Sequence, residues 1–190
     1  MKTWREILPR LLHEIGVPDA ECRIDEFGDE YSDPSRKYHT LTHIDHLLSQ
    51  LFAARSEPSF ALLFAALYHD FVYDTARPDN EEQSAIAAGK ILKSAGVNDA
   101  IIEEVKLMIC ATKHSGDASD LSEDCKLLLD ADMSILASSP ARYATYIQEV
   151  RQEYAQVSDS LWRHHRLRFL LRCLQSTAIF YSEHFKASEA

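Results

Sequence analysis

Glycine is scarce in this 190-residue chain, at five residues, and so is proline, at six. That scarcity excludes collagen-like and low-complexity readings. It also leaves no glycine-rich phosphate loop of the G-x-G-x-x-G or G-x-x-x-x-G-K-[ST] kind. The longest uninterrupted apolar run covers residues 60–68. A membrane-spanning helix needs about 20 apolar residues, so no membrane partner is expected. The amino terminus carries no apolar stretch of the secretory type, and the four cysteines show no C-x-x-C spacing. Free thiols in a reducing cytoplasm are the expectation. The net charge of −10 disfavours a nucleic acid duplex as partner. A small phosphate ester stays open, because a bound cation inverts the charge locally.

What the chain does have is helical periodicity, nearly throughout. Trp4, Ile7, Leu8, Leu11, Leu12 and Ile15 recur at three- and four-residue spacing. They predict a first helix, kinked or late-starting at Pro9 and ended by Gly16. Further helices are expected over about 20–31 with Asp19 as cap, 38–54, 59–73, 80–95 and 99–112. Three more follow over about 123–137, 140–157 and 159–185. Asp79 with Glu82, and Asp120 with Glu123, resemble capping boxes, and Asn98, Ser139 and Ser158 or Asp159 are further caps. Residues 115–119 form a polar loop. No window alternates as a strand does. The expectation is an all-α, single-domain helical bundle of about nine helices over residues 1–190, with its motif core at about 36–136.

Four of the nine histidines, His39, His43, His46 and His69, lie in the two segments expected to be most buried. On the expected helix His39 and His43 share one face. Asp70 follows His69 in an apolar run, and Asp130 and Asp132 interrupt another, at Leu127-Leu128-Leu129-Asp130-Ala131-Asp132. Burying such carboxylates is expensive unless they are paired or bind a cation. Two imidazoles with two carboxylates suit a divalent ion of borderline softness, such as Mn, Fe, Co, Ni or Zn, better than Mg.

In order and setting, His43, the His69-Asp70 pair and Asp132 resemble the HD superfamily of metal-dependent phosphohydrolases. Tyr38-His39-Thr40-Leu41-Thr42-His43 is also similar to the Y-H-N-x-x-H run of the cyclic-nucleotide phosphodiesterases, with Thr40 in place of the Asn. The stretches 36–44, 69–74, 79–85, 111–114, 130–136 and 150–154 together resemble a small bacterial family of HD phosphohydrolases. The resemblance implies metal ligation by His43, His69, Asp70 and Asp132. It implies proton donation by His39 to the leaving oxygen, a catalytic part for Asp70 in orienting water, and hydrolysis of a small, nucleotide-like phosphate ester.

Around that set, Arg36, Lys37, Lys113, His114 and Glu81 are candidates for the substrate wall, with His114 alternatively serving a second metal. Asp130 is the alternative last ligand. Asp74 and Glu82 are further carboxylates near the expected water. Arg151, Glu153 and Tyr154 read as a structural network. His13, His164, His165 and His184 read as surface or packing residues. Two rival functions belong to other classes: a di-iron oxygenase, which needs a second full metal site, and a non-catalytic metal- or nucleotide-binding domain.

Overall fold

A computed structural model describes residues 2–114, 120–176 and 178–187. The expected polar loop at 115–119 lies outside them. Helices follow one another in the order α1 (Trp4–Glu14), α2 (Ala20–Tyr31), α3 (Leu41–Ala54), α4 (Phe60–Tyr68) and α5 (Asn80–Ser94). Then come α6 (Asp99–Ala111), α7 (Glu123–Met133), a 3-10 turn (Ser134–Ala137), α8 (Pro140–Glu153), α9 (Asp159–Gln175) and α10 (Glu183–Lys186). No strand occurs among the described residues, and none of the helices is long and apolar enough to cross a membrane.

Most ends are set by local chemistry. Ser59, Asn98, Ser122, Ser139 and Ser158 each accept an N–H of the first helical turn on the side chain. Gly16 and Gly96 adopt φ +68° and +72° after α1 and α5. The N–H groups of Val17 and Val97 reach back to the carbonyls of Leu12 and Leu92, closing both helix ends. Some expected ends move. Ser122, not Asp120, caps α7. Asp19 and Asp79 occupy cap positions without making side-chain cap bonds. The Asp79 carboxylate is taken by Arg77 and Gln83 instead, and Glu82 by Lys113. Helix α1 runs on through Pro9. The last long helix stops at Gln175, far short of residue 185.

The core forms around α4, which is buried from Ala61 to Tyr68 and packs against α1, α3, α5, α6 and α7. An all-apolar helix is stable only where neighbours cover every side. The Phe27 ring packs against those of Tyr31, Tyr68 and Phe71, and Tyr31 donates its hydroxyl to the Leu67 carbonyl. The chain turns out of α4 at His69 and Asp70, so the His-Asp pair lies at the carboxyl end of the central helix.

Candidate metal centre

His43, in the first turn of α3, and His69, closing α4, are both buried and meet with their Nε2 atoms 3.2 Å apart. Asp70 Oδ2 lies 2.9 Å from His69 Nε2 and 3.6 Å from His43 Nε2. Asp132, in the last turn of α7, brings Oδ1 to 3.3 Å from His43 Nε2 and 3.6 Å from His69 Nε2. His43, His69 and Asp70 form a group that could hold a metal ion, their ligand atoms all within 4.8 Å of one another. Atoms bound at 2.0–2.2 Å to one ion stand roughly 2.8–3.6 Å apart in four- to six-fold arrays, and the distances above, 2.9–3.6 Å, fall in that range.

The donor chemistry agrees. The His69 Nδ1–H donates to the Ala66 carbonyl at 2.9 Å, so when the ring is neutral, as a metal ligand must be, Nε2 is the bare nitrogen facing the cluster. His69 Nε2 and the two carboxylates are then all acceptors, crowded around His43 Nε2, which offers at most one proton. A cation resolves that excess of lone pairs. In its absence, burial drives the His69 ring towards neutrality, but Asp70 and Asp132 outweigh it and hold the pKa well above its ordinary value. Both carboxyls are in turn lowered against their own burial, Asp70 chiefly by His69 and His39, Asp132 chiefly by hydrogen bonds from His114, His43 and His69. His43 Nδ1 has no partner among the described residues.

Asp130 is no part of this cluster. Fully buried, it accepts the N–H groups of Tyr181 and Ser182 and the Ser182 hydroxyl, at 2.8, 2.7 and 2.5 Å. It fastens the carboxyl-terminal segment to α7. His46 faces Ser134 at 3.0 Å, away from the ligand atoms.

His39 does not share a helix face with His43. It precedes α3, whose N-cap Thr40 is extended, because Glu153 holds this segment. Glu153 Oε1 accepts the N–H groups of Lys37, Tyr38 and His39, and Oε2 lies 2.7 Å from His39 Nδ1 and accepts the Tyr73 hydroxyl at 2.9 Å. Tyr73 also lies against the His39 ring, 4.3 Å between centroids. Burial lowers the His39 pKa, but Asp70 and Glu153 raise it to above the ordinary value. The sequence reading put Glu153 in a structural network and gave Tyr73 no role, because the partner that makes each part of the site lies in another segment.

A cleft of about 300 Å³ opens over the cluster, lined by His39, Asp70, Tyr73, Glu81, Lys113, His114 and Asp132 among others. His114 sits in a left-handed conformation (φ +49°) with Nε2 3.2 Å from Asp132 Oδ2, the carboxylate oxygen turned away from His43. Lys113 reaches the cleft wall with its charge already engaged by Glu82 at 2.7 Å and Glu81 at 3.9 Å. Two expected wall residues are elsewhere. Arg36 is buried, and its guanidinium binds the carbonyls of Asp70, Phe71 and His39. It ties the chain after α4 to the segment before α3 and holds no free face for a phosphate. Lys37 is exposed, lies outside this cleft and bonds the Pro34 carbonyl. Asp74 accepts the Ala76 N–H in a local turn, and Arg151 binds the carbonyls of Tyr154 and Val157 and the Asp159 carboxylate.

No protein-family model, curated protein or solved structure matches this chain. The likeness to HD phosphohydrolases therefore rests on the motifs.

Proposed function

We propose that this protein hydrolyses a small phosphate ester with the help of a divalent metal ion held by His43, His69, Asp70 and Asp132. The observation that carries this reading is the convergence of two buried imidazole nitrogens and two carboxylates, with both carboxylates and His39 lining one cleft. Mn, Fe, Co, Ni or Zn fits a mixed nitrogen and oxygen set better than Mg. When bound, such an ion lowers the pKa of a water and polarises phosphoryl oxygens.

The remaining work falls to the chain. Asp70, which lines the cleft, orients the attacking water. Glu153 fixes His39 with Nδ1–H towards its own carboxylate, leaving Nε2 to carry the proton given to the leaving oxygen. The Glu153 carboxylate beside Nδ1 favours the protonated ring. Lys113 is held in the wall by Glu82 and, at longer range, Glu81, and His114 backs the second oxygen of Asp132.

Phosphate release from a panel of mononucleotides and aryl phosphates, with chelated protein and with protein reconstituted in Mn, tests this reading. Metal-dependent release is expected. No release with any ester after loading with Mn, Fe, Co, Ni or Zn would refute it.

A further inference from the structure

The cleft shares a wall with a second hollow, of about 460 Å³, between α8 and α9: Tyr146, Val150, Tyr154 and Phe169 line both. Trp162 and Arg166 complete the second hollow. Tyr154 and Trp162 stand 5.6 Å apart, so its wall is a run of flat ring surfaces.

Arg166 brings a guanidinium to this hollow. Its guanidinium lies over the rings of Phe169, Tyr146 and Tyr143, at 4.7, 5.1 and 5.7 Å, and donates to the hydroxyls of Tyr143 and Tyr146. Among the described residues no carboxylate lies within ion-pair reach of it, and its Nε has no partner. Arg23, Arg55, Arg77, Arg142 and Arg151 each find an acid and the buried Arg36 is held by three carbonyls, whereas Arg166 rests on ring faces and two hydroxyls. The ring faces and hydroxyls hold the guanidinium but leave it without a counter-ion, which an anionic ligand group can supply. Rings favour a flat, apolar ligand body, and a guanidinium favours a carboxylate or phosphate.

We propose that the hollow between α8 and α9 is a substrate subsite for a phosphate ester whose alcohol part is a flat ring bearing a second anionic group, which Arg166 binds. The proposal rests on the hydrolase reading for the place of the scissile phosphate, over the ligand cluster. The ring then lies along Tyr146 and Phe169, and the far anion meets Arg166.

Benzylphosphonate and 4-carboxybenzylphosphonate, which cannot be hydrolysed, serve as probes. Trp162 reports their binding by its emission, since Trp4 is buried in the core on α1, and Trp162→Phe should abolish the signal. The carboxylated probe should bind about tenfold tighter or more, the worth of one charge-assisted hydrogen bond. Arg166→Gln should erase the difference, and Arg166→Lys should keep part of it. Equal affinities in the unaltered protein, or no binding of either probe at millimolar concentration, would overturn the subsite. Turnover of phenyl phosphate and 4-carboxyphenyl phosphate is read separately. A binding preference without turnover keeps the subsite and removes the hydrolase reading; turnover without a preference does the reverse.

Discussion

Glu153 Oε2 lies 2.7 Å from His39 Nδ1, while the other oxygen of the same carboxylate accepts the backbone N–H of His39 itself. One side chain at the end of α8 thus fixes both the position and the proton of a residue 114 positions away. Because the carboxylate raises the His39 pKa, removing its charge lowers it. Glu153→Gln should therefore move the alkaline limb of the kcat profile to lower pH, with metal content unchanged. An unmoved limb would mean that Glu153 only holds the backbone.

His39→Ala should keep the metal and lower kcat by about 10²–10⁴-fold, the range for loss of a general acid. With p-nitrophenyl phosphate, whose leaving group needs little protonation, the loss should be smaller than with an alkyl phosphate. Equal losses for both would argue against proton donation.

Asp130 and Asp132, two residues apart, should separate cleanly. Asp130→Asn should cost about 1–3 kcal/mol of stability, because three donors lose a buried charged acceptor. Its metal content should stay normal. Asp132→Asn should lose metal and phosphate release, both of which Asp130→Asn keeps. Melting curves and metal analysis on the two variants read both effects.

Much of the scaffold was legible because it follows local rules. The 3.6-residue spacing marks α1 and α3, Gly16 and Gly96 mark stops, and Asn98, Ser139 and Ser158 mark starts. The order of His43, His69, Asp70 and Asp132 could be read as well, since the last three interrupt apolar runs and His43 lies in a histidine-rich segment before them. What the sequence hid depends on contacts between distant segments. Nothing near Arg36 tells that its guanidinium closes on the Asp70 and Phe71 carbonyls. Likewise, the acid that pulls His39 out of helix α3 sits on α8. Asp120 and Asp79 look like caps, but Ser122 and the rival partners Arg77 and Gln83 decide otherwise.

Stability against pH follows from the same pair. Burial raises the Glu153 carboxyl, but its hydrogen bonds from His39 overcome that and bring its pKa to about 2, against about 4.3 in an unfolded chain. Its folded value lies below its unfolded one, so its contribution is complete above about pH 4.3 and is lost as pH falls towards 2. His39 shifts the other way, so its contribution is present below its unfolded pKa of about 6.5 and fades as pH rises through the folded value. The melting temperature of metal-free Glu153→Gln should fall less than that of the unaltered protein between pH 4.3 and 2. Parallel curves would contradict this.

The most direct test of the central claim is the divalent metal retained per chain after reconstitution with Mn, Fe, Co, Ni or Zn and desalting, measured by mass spectrometry. The unaltered protein should retain at least one equivalent of one of these ions, and His69→Ala and Asp132→Ala should each retain little. An unaltered protein that retains none of them, or variants that bind as well as it does, would contradict a metal centre at His43, His69, Asp70 and Asp132.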